Sequence, residues 1–410
     1  MESIKCRFCG TELRHILADL GLSPLSNEYL SPEDSTKGQY FYPLMVHVCE
    51  KCYLVQAMEF RKPETIFTNY KYFSSFSKSW LEHCKKYVDM IVPFLNLGAN
   101  SLVTEIACND GYLLQYFKPY GISVYGVEPS ANVAAEARKR GIEVEVSFFG
   151  NDLAAEQVKM RGKSDLIIGN NVLAHVPDIN GFVEGLQILL AGDGIVTLEF
   201  PHLLKLMQYN QFDTIYHEHF SYFSLLALTR IFKVYSLRIF KVDELDTHGG
   251  SIRIYVVHES NARRETEASV DIILENERSF GLDDIRTYTA FEDKVIKNKI
   301  DSLKLLLKLK NNGEAIAAYG AAAKGNTFLN YCGIGKDFID YVVDANPHKQ
   351  GFYLPGTQIP IVGKEKLSET KPGYIVILPW NIRDEIKTEL SFTREWGCKL
   401  VTFIPETQIF

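Results

Sequence analysis

No apolar run in this 410-residue chain approaches the roughly 18 residues needed to cross a bilayer. Its first residues, Met1-Glu2-Ser3-Ile4-Lys5-Cys6, carry no apolar core of a signal peptide. Positive charge is also short: 44 Lys and Arg stand against 51 Asp and Glu, a net charge of −7. A general nucleic-acid binder needs the opposite balance to displace counterions. No low-complexity tract or internal repeat is visible. With 46% apolar and 23% charged residues, a disordered or fibrous chain is excluded. The expectation is a cytoplasmic protein of two to four domains with reduced thiols and no membrane or nucleic-acid partner.

Eight cysteines are present, and four form the pairs Cys6-Arg7-Phe8-Cys9 and Cys49-Glu50-Lys51-Cys52. Each C-x-x-C knuckle points two thiolates at one ion, and two knuckles complete the four-sulfur tetrahedron of structural zinc. The interval between them, residues 10–48, is longer than is common for such sites. A redox C-x-x-C would sit on a βαβ unit, and none is predicted here. A filled thiolate shell leaves no open position, so zinc at Cys6, Cys9, Cys49 and Cys52 is expected to staple residues 1–62 rather than to catalyse.

From residue 101 strand-like runs at 102–107, 123–128, 143–148, 165–170 and 194–200 alternate with helical stretches at 112–118, 132–140, 152–160 and 182–190. That alternation predicts an α/β domain with a parallel sheet, over 63–260. Two further strands, 238–243 and 251–258, are placed as a hairpin at one sheet edge. Residues 261–311 are charged and helix-periodic and read as a helical linker. A second α/β alternation over 314–404 predicts a C-terminal Rossmann-like domain.

The first strand of the middle domain runs into Glu105-Ile106-Ala107-Cys108-Asn109-Asp110-Gly111, and the second ends in Glu128. An acid closing the second strand suits the ribose hydroxyls of a bound nucleoside. A pyrophosphate needs a glycine triad in the first loop, and only Gly111 is present. S-adenosylmethionine (SAM) has no phosphate, and the carboxylates of Glu105 and Asp110 suit its cationic sulfonium. An ordinary strand turn binding another ligand is the competing reading. Asn170 and His175 follow the fourth strand, at the edge where ligands of such sheets sit. His175 reads equally as a hydrogen-bonded residue at a helix start.

After the fifth strand comes Tyr216-His217-Glu218-His219. It is not H-E-x-x-H, so helix-based zinc ligation is not supported. If extended, His217 and His219 point one way, and Tyr216 and Glu218 the other; if it turns, three of them converge. Imidazole beside carboxylate and phenol is the equipment of acid–base chemistry. Methylation at carbon needs it most, because a carbanion must first be made and its enolate oxygen stabilised.

These motifs resemble the sugar C-methyltransferases, typified by the C-3′-methyltransferases of deoxysugar biosynthesis (the tetronitrose enzyme type). The resemblance runs over essentially the whole chain. It includes the two knuckles, Asn69-Tyr70-Lys71-Tyr72-Phe73-Ser74-Ser75-Phe76-Ser77, Cys108-Asn109-Asp110-Gly111, Tyr216-His217-Glu218-His219, Thr247-His248-Gly249-Gly250-Ser251, Ala323-Lys324-Gly325-Asn326-Thr327 and Tyr353-Leu354-Pro355-Gly356. It implies a zinc domain, a class I SAM-methyltransferase domain and a C-terminal Rossmann-like domain that does not bind NAD. It implies a nucleotide-linked 4-keto-deoxysugar in the cleft between the last two; the sequence does not name the nucleotide, with a dTDP type and a monomeric enzyme as the expectation. His219 would be the base at C3. Tyr216 and Glu218 would position it or the sugar, Tyr70 would place a phenol near the keto oxygen, and His175 would be a further cleft residue. Ser75, Ser77, Lys78 and Lys324 are candidates for a diphosphate, or ordinary surface groups; His248 is a cleft residue or a hairpin turn. The rival functions are O- or N-methylation of another small molecule, and a zinc-ribbon binding module without SAM chemistry.

Overall fold

The computed structural model describes residues 4–61 and 73–410. Three strands, β1 (His15–Ser23), β2 (Tyr42–Val48) and β3 (Val55–Ala57), form an antiparallel sheet next to the cysteine knuckles. β1 is absent from the sequence reading, and its irregularity explains why. Two register shifts interrupt its pairing with β2, so the alternation of apolar and polar residues breaks near Asp19 and Gly21.

Helix α1 (Lys78–Leu95) starts at Ser77, whose hydroxyl accepts from the Trp80 amide, and stops at left-handed Asn96. Its Cys84, Tyr87, Val88, Ile91 and Val92 are buried at helical spacing. The predicted helix at 112–118 is instead two short 3-10 turns, Leu114–Tyr116 and Lys118–Tyr120. Pro119 supplies no amide hydrogen and Gly121 ends the run.

The middle sheet contains β4 (Leu102–Ile106), β5 (Ser123–Val127), β6 (Glu143–Glu145), β7 (Ser164–Asn170) and β8 (Leu190–Pro201), all mutually parallel. Helices α2 (Ala131–Lys139), α3 (Asn151–Arg161) and α4 (Ile179–Leu189) connect them. After β8 come α5 (Leu203–Gln208), the two-residue strand β9 (Ser221–Tyr222), α6 (Leu225–Val234) and the antiparallel hairpin β10 (Leu237–Leu245) and β11 (Ser251–His258). The order is β10-β11-β8-β7-β4-β5-β6. The hairpin closes the sheet by its second strand, since β11 runs antiparallel against β8. This is the class I SAM-methyltransferase sheet that the resemblance implies.

β9 does not join that sheet. It pairs with β3 and completes the N-terminal sheet in the order β1-β2-β3-β9.

The charged stretch folds as α7 (Ala268–Phe280), α8 (Ile285–Thr289) and α9 (Phe291–Asn311). It does more than connect. α9 buries Phe291, Val295, Leu306 and Leu309 in one apolar cluster with β1, β2 and the last domain. Glu292 accepts from the Asp19 amide at 3.2 Å. The last domain holds β12 (Ile316–Tyr319), α10 (Ala323–Cys332), β13 (Val342–Val343), β14 (Ile361–Val362), α11 (Glu365–Thr370), β15 (Tyr374–Ile377), α12 (Arg383–Glu389), β16 (Lys399–Thr402) and β17 (Gln408–Ile409). Its sheet order is β14-β13-β12-β15-β16-β17, parallel except for β17. No helix among the described residues is long and apolar enough to cross a membrane.

Candidate active site and metal centre

The two knuckles converge. The Sγ atoms of Cys6, Cys9, Cys49 and Cys52 all lie within 4.8 Å of one another. Cys6–Cys52, Cys9–Cys49 and Cys9–Cys52 are 3.6, 3.5 and 3.7 Å apart. Bonds of about 2.3 Å from a tetrahedral zinc place its sulfurs about 3.8 Å apart, so the four thiolates fit that ion. Gln56 Nε2 donates to Cys6 Sγ at 3.2 Å and orients it. The knuckle is also docked: Asn180 Nδ2 on α4 donates to the carbonyls of Arg7 and Phe8, and Arg7 Nη1 donates to Pro177 O.

Pro177 belongs to the wall of a cavity of about 760 Å³, toward the upper end of the range for small-molecule sites. The cavity lies where the carboxyl ends of β4, β5 and β7 open, and it reaches α10 of the last domain. Its first half is built by the loop after β4. Ala107 and Asn109 are left-handed there, with φ 57° and 48°, so the chain turns back sharply. Glu128 holds the loop, accepting from the Asn109 amide at 3.0 Å and the Ser130 amide at 2.9 Å. Asn109, Glu128 and Asn170 line the cavity.

Glu105, Asp110 and Gly111 stand behind this wall rather than in it. Glu105 is fully buried, and burial, helped by Asp110 and Glu128, pushes its carboxyl well above the usual range. Asp110 Oδ2 accepts from the Ser75 hydroxyl and from Arg140 Nη2, and so ties the start of α1 to the loop. Gly111 is required sterically: at φ 76°, a Cβ there would lie 2.4 Å from Ile142 Cδ1. Of the three carboxyls, Glu105, Asp110 and Glu128, only Glu128 borders the cavity, at the end of the second strand, where an acid suits the ribose hydroxyls of a bound nucleoside. Beyond β6, pairing ends at Glu145, and Ser147 and Phe148, expected within a strand, border the cavity instead.

The second half is built by the segment 214–219. It turns rather than extends, because the His219 amide donates to Tyr216 O at 2.9 Å. Tyr216 and His219 therefore meet, with ring centroids 4.0 Å apart, and both line the cavity. His219 Nδ1 donates to Thr214 O at 2.9 Å, which leaves Nε2 as acceptor of the Tyr216 hydroxyl at 2.8 Å. His175 Nδ1 donates to Glu218 O at 2.7 Å, and its ring meets His219 edge-on at 4.8 Å. Burial holds both imidazoles neutral, His175 at about 4 and His219 well below its usual value.

Glu218 does not line the cavity but sits behind Asn27, whose Nδ2 donates to its Oε1 at 3.1 Å, and burial pushes its carboxyl up to about 7. His217 also turns away, 3.2 Å from Pro43 O. Tyr70 lies outside the described residues. Ser75 is engaged with Asp110, Ser77 caps α1, and Lys78 is exposed.

Some cavity residues escaped the sequence reading. Asn27 comes from the N-terminal domain, far from any motif. Asn171 and Trp80 line the wall beside His248, whose Nε2 is 3.2 Å from Asn171 Nδ2. Asn171 had a signal in the Asn-Asn doublet ending the fourth strand; Trp80 sits in an ordinary helical stretch and had none.

Three families match the chain in succession: a zinc binding domain (6–67), a methyltransferase domain (80–242) and a C-methyltransferase C-terminal domain (246–405). The C-methyltransferase NovU of Streptomyces niveus is 35% identical over 405 residues, covering 99% of this chain and 96% of NovU. A ubiquinone biosynthesis O-methyltransferase of Nitrobacter winogradskyi is 28% identical over 113 residues, 28% of this chain and 43% of that protein. A magnesium protoporphyrin IX methyltransferase from Synechocystis PCC 6803, solved with bound SAM, overlaps at a TM-score of 0.33 and 19% identity, covering 48% of this chain and 88% of that one. That last likeness is too distant to add to the assignment, which rests on the full-length match. With a four-thiolate zinc domain, a class I sheet and a C-methyltransferase C-terminal domain in one order, the chain belongs to the SAM-dependent C-methyltransferases.

Proposed function

We propose that this enzyme methylates C3 of a nucleotide-linked 4-keto-deoxysugar through an enolate. The observation that carries the reading is the fixed tautomer of His219, a neutral imidazole at the cavity wall whose Nε2 lone pair accepts the Tyr216 hydroxyl. Asn109, Glu128 and Asn170 would hold SAM. When bound, SAM supplies an electrophilic methyl group on sulfur.

The chain's own residues do the rest. The Tyr216 hydroxyl turns from Nε2 to a sugar oxygen, and the lone pair it leaves takes the C3 proton. Burial makes an imidazolium costly here, so the proton is held only while the enolate stands beside it as counter-charge. Thr214 O keeps Nδ1–H in place throughout, and His175 packs His219 from the edge. A dry, oriented site completes the task.

The test is His219→Asn. It is expected to bind SAM normally by calorimetry while losing both turnover and SAM-independent deuterium exchange at C3, by about 10²–10⁴-fold. Wild-type methylation of an acceptor without any C–H exchange would favour the O- or N-methyltransferase reading instead.

A further inference from the structure

We propose that Lys324 is the catalytic cation that stabilises the enolate oxygen opposite His219. This inference rests on the ketosugar reading above. Lys324 and Lys349 are the lysines lining the cavity, and no arginine lines it, among the described residues. Lys349 is committed to the Ala321 carbonyl at 2.7 Å and lies 3.8 Å from Asp344. Among the described residues Lys324 forms no ion pair within 4 Å; the buried Asp213 supports its charge from further off, against burial, which works to lower it. Its Nζ donates to Asn381 Oδ1 at 2.8 Å and rests 4.8 Å from the Trp380 ring centroid. An ammonium has three N–H donors, so two remain for a ligand.

The surroundings hold this cation in place. Trp380 Nε1 donates to the buried Asp213 at 2.7 Å, and a Cβ on Gly249 would lie 2.4 Å from the Trp380 ring. The ring is therefore wedged between the segment leading to His219 and the 247–251 turn. Lys324 lies in the first turn of α10, and Ala322 and Ala323 at the start of that helix line the cavity with it, so the positive end of the helix borders the same volume. Tyr216, His219 and His248 line the same cavity. The charge of Lys324 is felt there, pushing both imidazoles further down.

In the step proposed, His219 Nε2 takes the C3 proton. The C–H electron pair becomes the C3–C4 π bond, and the former carbonyl π pair moves onto oxygen, against the Lys324 ammonium. On methylation the pair returns to reform the C4 carbonyl, C3 bonds the methyl carbon, and the methyl–sulfur pair leaves with sulfur. Lys324 neither gains nor loses a proton.

The experiment measures C3 deuterium exchange of a nucleotide ketosugar by the full-length, zinc-loaded protein without SAM, across substrate concentration. Lys324→Met is expected to slow saturated exchange by about 10²–10³-fold, with KM changed less than about threefold. Lys324→Arg is expected to recover part of the rate, and SAM affinity should be unchanged. Asn381→Leu, which frees the ammonium without removing it, should show a smaller loss of the same kind, so the test does not depend on one variant folding. Wild-type exchange rates in Lys324→Met would overturn the proposal. A loss confined to KM would also overturn it, and would assign the lysine to the diphosphate. Absence of exchange in the wild type would bring down the ketosugar reading itself, and this proposal with it.

Discussion

Gly249 shows how a single atom is excluded from the site. Its φ is 91° and its missing Cβ makes room for Trp380, so Gly249→Ala combines backbone strain with overpacking. A loss of about 2–4 kcal/mol is expected in urea unfolding. Glu199 is the complementary case, a fully buried charge at the end of β8. Burial works to raise its carboxyl, but His83 and Arg253 together more than undo this and leave it below its usual range. Arg253 Nη2 lies 2.5 Å from it and Thr247 Oγ1 3.1 Å. Arg253→Met should cost about 3–5 kcal/mol, measured the same way, because the carboxylate loses its cation but not its burial. Residues whose chemistry is local were readable in the chain, the paired cysteines above all. Direction was not readable. Whether Asp110 faces a ligand or Ser75 and Arg140 depends on contacts 30 or more residues away.

Among the elements, regular alternation between 101 and 200 was legible because buried parallel strands are continuous apolar runs. Elements that failed to show themselves are those where a neighbour decides. β1 carries register shifts, and α9 looks like a charged spacer until its buried stripe meets the first and last domains. The zinc knuckles join this scale through Asn180 and Arg7, which link them to the cavity wall at Pro177. Cys49→Ser, or stripping the metal with a strong chelator, should lower thermal stability by several kcal/mol equivalent. It should also weaken SAM binding in calorimetry, because that wall loses its brace.

For the molecule as a whole, buried ionisable groups set the pH response. His175 and His248 are pushed down to about 4 from 6.5, so the unfolded chain binds more protons between those values and stability rises with pH there. His219 and His217, also pushed down by burial, act in the same sense. Glu218 and Asp213 are pushed up to about 7 and about 6, so they oppose this, losing stability as pH rises through those values. Glu105 and Glu128 are pushed up by burial as well, so the two sets nearly offset each other up to about 6.5, above which only the raised carboxyls still act. Melting temperature should change little from pH about 4.5 to about 6.5 and then fall toward about 7. A melting temperature that rises between pH about 6.5 and about 7 would contradict the burial described. At this scale, too, β9 has a consequence. The last strand of the cysteine-bearing sheet is drawn from two residues just past His219. An excised fragment ending at residue 62 would expose a raw edge, and a chain beginning at 63 would leave its reactive loop without an anchor. The metal-bearing segment is thus no portable cassette: shuffling between relatives could exchange it only together with the histidine-bearing turn it is stitched to.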